Sequence, residues 1–180
     1  MTNVPGLGLV AVLAMIAVLL ALPLLAAVSL LAARATGIRI EFTLLGTNAL
    51  AIVCGVAVAV ASPLGLQEVS LGALVGLAKF TAGVLAAGLF VSAVFEGLPI
   101  ATGAALTVVF REVSWSHALQ YATAGYAVGG LGGAVAGLLL TGAAEAAALG
   151  ALLSVPGALG SVLLAVAVSQ LRRQRAMSAS

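Results

Sequence analysis

The residues that could do chemistry in this chain are few, and they interrupt long apolar stretches. Lys79 falls well inside the apolar run that starts at Leu71, Glu96 ends that run, and Asn48 lies near the start of another. A lysine at mid-membrane costs roughly 2.5–3.5 kcal/mol on insertion scales, so a charge in such a place marks a functional site by default. We therefore take Lys79, Glu96 and Asn48 as the candidate intramembrane polar residues.

Two interpretations of Lys79 stay open at this point. In the first, Lys79 lies inside a helix bundle and pairs with a glutamate, for which Glu96 and Glu145 are the candidates. In the second, the span begins nearer Phe80 and the ammonium group reaches the membrane surface along its own alkyl chain. For Asn48 we favour a structural role, because an amide can hydrogen-bond across helices for about 0.6–2 kcal/mol.

Other chemistry-bearing residues are isolated or absent. The chain has no aspartate, a single cysteine at Cys54 and a single histidine at His117. One cysteine excludes an internal disulfide and a thiolate metal cluster, and a histidine without cysteine or aspartate companions is a weak metal ligand. No serine–histidine–acid set carries the local signals of a hydrolase. We expect no catalytic, cofactor-binding or metal site, and the sequence does not decide whether any cofactor is bound.

The composition places the chain in a membrane. It has 63% apolar and 7% charged residues and a mean hydropathy of +1.30, whereas soluble domains have about 45–50% apolar and about 25% charged residues. Several apolar runs exceed the roughly 20 residues that a spanning helix requires. The alternation over about ten residues that marks a membrane β-barrel is absent. We predict an all-α integral membrane protein with residues 1–180 in a single transmembrane domain.

Five segments are long enough to cross the bilayer: 8–34, 43–62, 71–95, 118–141 and 146–170. The segment 97–110 is short for a span and suits a re-entrant or interfacial piece. Pro23 in the first span and Pro156 in the last each remove a backbone hydrogen bond and can kink their helices. We predict a polytopic bundle of five transmembrane helices, with six as the alternative if 97–110 also crosses.

The arginines indicate the orientation of the chain. With five spans, every arginine falls on one side of the membrane: Arg34, Arg39, Arg111, Arg172, Arg173 and Arg175. The positive-inside rule makes that side cytoplasmic and the N-terminus external, with 171–180 as a short basic cytoplasmic tail. A crossing by 97–110 would divide the arginines between the two sides. We expect a multipass plasma-membrane protein, and the Ala-, Val- and Gly-rich composition suggests a prokaryotic one.

The stretch 125-GYAVGGLGGAVAG-137 has a glycine-zipper pattern, with glycine at every fourth position: Gly125, Gly129, Gly133 and Gly137. Residues four apart lie above one another on a helix, and small faces let membrane helices approach closely. We favour packing within the chain over packing between subunits or against a partner chain. A phosphate-binding loop is the weakest interpretation, because it needs a preceding strand and a helix N-terminus outside the lipid.

Two functions from different classes fit these features. In the first, the protein transports an ion or small molecule, alone or as a membrane-embedded component, along a path framed by 97–110, Lys79 and the glycine-rich helix. In the second, it is a non-catalytic accessory or structural subunit of a larger membrane complex and docks through the glycines. Its expected partners are the lipid bilayer and other transmembrane helices, in a homo-oligomer or a complex. The dispersed basic residues exclude a nucleic-acid surface.

Overall fold

The computed structural model describes residues 5–61 and 71–178, and within them the side chains of 12–58, 75–171 and 174. All regular structure in these ranges is helical, which confirms the predicted all-α class. The helices are α1 (Pro5–Thr36), α2 (Ile40–Ala61), α3 (Leu71–Ser92), α4 (Leu98–Arg111), α5 (Trp115–Thr141), α6 (Ala144–Ala151), α7 (Ser154–Leu159) and α8 (Ser161–Ser178), with a π-helical turn at Ala93–Gly97 between α3 and α4.

Within the described ranges, four helical segments are long and apolar enough to cross a membrane: Val12–Thr36, Ile40–Val58, Val75–Arg111 and Trp115–Thr141. The bent pair formed by Ala144–Leu159 and Ser161–Leu171 makes a fifth if it is counted as one span. The described helices are therefore compatible with a multi-pass membrane protein in their length and composition.

The segment 97–110, predicted from its short length to be a re-entrant or interfacial piece, is not separated from the preceding span. It forms α4, which continues from α3 through the π-helical turn, so that one apolar helical segment of 37 residues runs from Val75 to Arg111. At 1.5 Å per residue this segment is about 55 Å long, whereas the hydrocarbon core is about 30 Å thick. The whole segment cannot lie within the hydrocarbon along the membrane normal.

The last span is more broken than one proline kink would make it. Pro156 has no N–H, and the carbonyl of Leu152 accepts instead from the nitrogen of Val155 at 3.2 Å. The chain then breaks at Gly160, and α8 leaves at 61° to the preceding pair. Proline and small residues are the usual causes of such sharp bends. The kink predicted at Pro156 therefore becomes two interruptions, one on each side of α7.

Helix α5 lies at the centre of the bundle and packs against α1, α4, α6, α7 and α8. The buried apolar core is formed mainly by small side chains from α1, α4 and α5: Leu22, Ala26, Leu30, Ala33, Ile100, Ala104, Ala118, Leu119, Ala122, Tyr126 and Ala127. Alanine predominates because helices in a bilayer associate through close backbone approach rather than through exclusion of water.

Helix α3 lies at the edge of the bundle. None of its described side chains from 75 to 91 is buried, and its neighbours are α2 and the π-helical turn that follows it. The contact with α2 is close at Gly88, where an added Cβ would lie 2.7 Å from Cδ1 of Ile52. Helices α2 and α3 therefore form a hairpin-like arm beside the core.

Candidate intramembrane cation site

Glu96 and Asn48 meet inside the bundle. The amide nitrogen of Asn48 donates to Oε2 of Glu96 at 2.7 Å, and the hydroxyl of Ser92 donates to the same oxygen at 3.0 Å. All three residues are buried, and Glu96 is only 2% exposed. Sequence reasoning selected Glu96 and Asn48 separately but missed Ser92, whose signal is its position one helical turn before Glu96. The structure thus assembles a polar cluster of Asn48, Ser92 and Glu96.

The orientation of the Asn48 amide is fixed by two acceptors. Its nitrogen donates to the carbonyl of Leu44 at 2.9 Å as well as to Glu96. Because a backbone carbonyl and a carboxylate oxygen both require a donor, the NH₂ group must occupy this position. Asn48 therefore presents hydrogen-bond donors, not its carbonyl oxygen, to the carboxyl group.

The polar cluster lies away from the ends of α2. Asn48 is eight residues after Ile40 and thirteen before Ala61, which corresponds to about 12 Å and about 20 Å along the helix. On the other helix, Glu96 is 17 residues after Lys79 and 15 before Arg111, or about 25 Å and about 22 Å. The carboxyl group is therefore far from both basic residues of its own helical segment.

The second carboxyl oxygen of Glu96, Oε1, is buried and has no hydrogen-bond partner among the described residues. Glu96 is one of the residues that line a half-open pocket of about 160 Å³ between α2 and the α3–α4 segment, which is large enough for several water molecules. The walls are mostly apolar and are formed by Leu44, Leu45, Asn48, Leu89, Ser92, Ala93, Glu96 and Gly97. One oxygen of Glu96 is thus saturated by donors while the other is left free.

The π-helical turn that carries Glu96 is explained by Pro99. The nitrogen of Leu98 donates to the carbonyl of Ala93, five residues back. Pro99 has no N–H for the carbonyl of Phe95, four residues back, and its ring would collide with that carbonyl in a regular α-helix. The hydroxyl of Tyr126 donates to the Phe95 carbonyl at 2.9 Å instead. Helix α5 therefore satisfies the backbone acceptor that Pro99 leaves without a helical donor.

Lys79 is exposed on α3 and does not pair with either glutamate proposed for it. Among the described side chains, the ion pair present joins Arg39 to Glu41 at 2.9 Å, and Glu145 is exposed in the first turn of α6. Lys79 is the ninth residue of α3, and its side chain is exposed. This exposure agrees with an ammonium group that reaches the membrane surface and not with a buried charge pair.

Two further hydroxyl pairs join helices. Ser29 of α1 and Thr47 of α2 share a hydrogen bond. The hydroxyls of Thr107 in α4 and Ser161 in α8 are 2.7 Å apart, and the carbonyl of Gly103 lies 2.8 Å and 3.1 Å from them. Because each hydroxyl has one hydrogen, one of them donates to the other and the second donates to the carbonyl. Such interhelical bonds contribute roughly 0.6–1.7 kcal/mol each in a membrane protein.

The four glycines of the zipper pattern face the chain's own last helices. A Cβ built on Gly125, Gly129, Gly133 or Gly137 would collide with the backbone carbonyl oxygen of Gly157, Leu153, Gly150 or Ala146, respectively. Helix α5 thus runs antiparallel to α6 and α7 with almost no side chains between them. The glycine face is occupied within one chain, so a partner chain cannot use it without displacing α6 and α7.

The arginines lie at helix ends. Arg34 is in the last turn of α1, Arg39 is in the following loop, and Arg111 ends α4 and donates to the hydroxyl of Ser169 in α8 at 3.0 Å. The hydrogen bond with Glu41 raises the pKa of Arg39 above its ordinary range. The predicted basic tail begins as the last turns of α8, while the side chains of Arg172, Arg173 and Arg175 lie outside the described part of the structure.

The described residues contain no group of three or more histidine, cysteine, aspartate or glutamate side chains that could hold a metal ion. Cys54 is exposed, and the His117 ring hydrogen-bonds the hydroxyl of Ser114 at 2.7 Å. Comparison of the chain with protein families, curated proteins and solved structures found no match. The function must therefore be argued from the polar cluster itself.

Proposed function

We propose that this protein is a multipass plasma-membrane protein that transports a cation, with Asn48, Ser92 and Glu96 as its intramembrane binding site. The observation that carries the proposal is the buried carboxyl group of Glu96, a residue that lines the pocket and whose Oε1 has no hydrogen-bond partner among the described residues. Ionisable residues inside a membrane are costly, and they mark ion or substrate pathways.

The irregular helices support a transport role. Transporters often bind their substrates at discontinuous helices, where backbone groups are freed from regular hydrogen bonding, and π-helical turns are frequent at functional sites. Here Glu96 itself lies in the π-helical turn at Ala93–Gly97, and the last span is interrupted near Gly160. The carboxyl group therefore occupies the kind of local structure that binds ions in membranes.

A purely structural carboxyl group would be arranged differently. Buried polar groups that serve only packing are almost always fully hydrogen-bonded, because each unpaired one costs about 1–3 kcal/mol. Oε2 of Glu96 has two donors, and Oε1 has none among the described residues. Oε2 of Glu41 is also buried without a partner, but Glu41 is ion-paired with Arg39, whereas Glu96 has no such pair among the described residues. The combination of an unpaired charge and an unpartnered oxygen favours a binding role for Glu96.

The test is cation uptake by the purified protein in liposomes. Protons, radioactive sodium and radioactive rubidium are each offered across an imposed membrane potential, and uptake is compared between wild type and Glu96→Gln. The isosteric amide keeps an acceptor but cannot carry the charge. We expect the uptake of at least one cation to fall to that of protein-free liposomes. Unchanged uptake by correctly folded Glu96→Gln protein would refute the proposal.

Two matched variants serve as controls. Glu145→Gln removes an exposed carboxylate at the start of α6, and Lys79→Ala removes an exposed charge from α3. Both side chains lie outside the polar cluster, so uptake should stay at the wild-type rate. A loss with Lys79→Ala equal to that of Glu96→Gln would place the path along α3 instead.

We propose further that the arginine-bearing helix ends face the cytoplasm and that the N-terminus is external. The support is that Arg34, Arg39 and Arg111 all fall on one side when Val75–Arg111 is counted as one span, as the positive-inside rule requires. The last turns of α8, which follow Ser169, then lie on that side as well.

A second candidate is a non-catalytic subunit of a larger membrane complex. One observation favours it: the described side chains of α3 from 75 to 91 are all unburied, so this helix has a face available to another chain. Substitution Gly83→Phe, at an exposed position with nothing within 4 Å of an added Cβ, should then dissociate the complex in native-lipid particles. A particle mass of one chain, unchanged by Gly83→Phe, would eliminate the subunit role.

A further inference from the structure

We infer that the cation taken by the Glu96 site is a proton and that it binds on Oε1. The inference rests on the proposed function and names its substrate. It follows from what the neighbouring atoms can offer an ion: two hydrogen-bond donors on Oε2, no partner for Oε1 among the described residues, and a mostly apolar pocket lined in part by Glu96.

The polar cluster lacks the ligands that a metal cation needs. Hard cations such as Ca²⁺ and Mg²⁺ are held by about six to eight oxygen atoms. The Asn48 amide turns its NH₂ group toward Glu96 because the Leu44 carbonyl holds it there, and the Ser92 hydroxyl donates its hydrogen to Oε2. Both neighbours therefore present positive hydrogen atoms, which would repel a metal ion.

The remaining surface of the cavity cannot replace these ligands. Apart from the polar cluster, its walls are formed by Leu44, Leu45, Leu89, Ala93 and Gly97. A metal ion bound here would keep Oε1 as its main protein ligand and would have to retain most of its water. A proton needs a single lone pair, and Oε1 accepts no hydrogen bond from any side chain or backbone group that the structure describes.

The charge balance also suits a proton. Tyr126 of α5 is close enough to Glu96 for their charges to interact. Its hydroxyl donates a hydrogen bond to the Phe95 carbonyl and not to Glu96. The other ionisable groups on the surrounding helices, which include Glu41 of α2, Lys79 of α3 and Arg111 of α4, make no contact with Glu96. An unpaired buried carboxylate is costly, and a proton removes the whole charge.

The binding step involves one bond. When water reaches Oε1, which is buried in this structure, a hydronium ion gives up its proton and an O–H bond forms with Oε1, so that water remains and the carboxylate becomes a neutral acid. Release reverses the step to water on the receiving side. Asn48 and Ser92 continue to donate to Oε2 in both states, and the cluster need not rearrange when the proton binds.

Two measurements test this inference. The first is acidification of liposomes that enclose a pH-sensitive dye, run in parallel with sodium and rubidium uptake. The second is infrared spectroscopy of the protein in lipid, which detects the C=O stretch of a protonated carboxyl group. The infrared band is assigned by its loss in Glu96→Gln. If that variant does not fold, Glu96→Asp, which should shift the band without removing it, provides the assignment.

We expect dye-reported proton uptake that falls to the protein-free level in Glu96→Gln and is retained in Glu145→Gln, with sodium and rubidium uptake at background. The infrared band should titrate with pH and be indifferent to added sodium or potassium. Two results would overturn proton binding while leaving cation transport intact. One is sodium or rubidium uptake that depends on Glu96, and the other is loss of the infrared band when sodium or potassium is added at constant pH. Absence of both a titrating band and any Glu96-dependent uptake would overturn both.

Discussion

The hydroxyl of Tyr126 donates a 2.9 Å hydrogen bond to the carbonyl of Phe95, directly before the glutamate of the polar cluster. The tyrosine comes from α5, the central helix, and the carbonyl belongs to the π-helical turn between α3 and α4. One side chain thus fastens the turn that carries Glu96 to the core of the bundle.

Substitution Tyr126→Phe should destabilise the protein by about 0.5–1.5 kcal/mol, because it removes the hydrogen bond to the Phe95 carbonyl, which is partly buried. The free energy of unfolding in mixed detergent micelles measures this loss. Tyr121→Phe is the matched control, since it makes the same change at a half-buried position in the same helix. Equal stability of the two variants would contradict the role assigned to Tyr126.

Substitution Pro99→Ala should reduce the cost of Tyr126→Phe. Alanine restores an N–H four residues after Phe95, and that group can satisfy the same carbonyl. In a double-mutant cycle, Tyr126→Phe should therefore cost less free energy of unfolding in the Pro99→Ala background than in wild type. Additive effects of the two substitutions would show that Pro99 does not create the need for the tyrosine hydroxyl.

Two adjacent glycines of α5 should respond oppositely to alanine. Gly133→Ala places a methyl group against the backbone of Gly150, which cannot move aside as a flexible side chain could; overpacking of this kind costs about 1–3 kcal/mol. Gly132→Ala places it in open space and improves helix propensity by about 0.8–1.0 kcal/mol. Thermal unfolding in detergent should show a lower midpoint for Gly133→Ala only, and a lower midpoint for both would argue against the close contact.

Substitution of two threonines in α4 should distinguish the contribution of an interhelical hydrogen bond from that of a hydrogen bond within the helix. Thr107 and Thr102 each donate to the carbonyl four residues back at 2.8 Å, but only Thr107 is buried and also meets Ser161. Thr107→Val should cost about 0.6–1.7 kcal/mol of unfolding free energy, and Thr102→Val should cost less. A similar cost at both positions would mean that the bond to α8 contributes nothing.

Membrane-impermeant thiol labelling checks the orientation. In a Cys54→Ser background, Ser116→Cys at the start of α5 should be protected in intact cells, and Ala144→Cys at the start of α6 should react. Both residues are exposed, and they lie at opposite ends of the Trp115–Thr141 span. The reverse labelling pattern would invert the proposed topology, and labelling at both positions would contradict Trp115–Thr141 as a crossing.

The helices could be predicted because a span needs only sufficient length and apolar composition, and 118–141, for example, coincides with most of α5. The 97–110 segment was wrongly separated from the third span. Pro99 does remove a backbone hydrogen bond there, but the helix continues through a π-helical turn. Tyr126, 27 residues later in the chain, donates to the carbonyl that Pro99 leaves without its usual donor. Neither compensation is visible in local sequence.

The polar cluster could be predicted only in part. Glu96 and Asn48 stand out because they are polar in apolar runs. Their contact joins residues 48 positions apart and depends on how α2 is rotated against α3 and α4. Helices made mostly of Ala, Leu, Val and Gly have little periodicity that would show which face is buried. The contact between Asn48 and Glu96 is therefore visible only in the folded structure.

The glycine seam between α5 and the pair α6 and α7 also sets which parts of the molecule can move. Two helices whose backbones touch at Gly133 and Gly150 cannot slide past one another without collision, so they behave as one block. Helix α3 has no such seam, since its main contacts are with α2 and the π-helical turn. A cycle that exposed Glu96 alternately to the two aqueous sides would therefore move α3 against this block, with Ala93–Gly97 as the hinge.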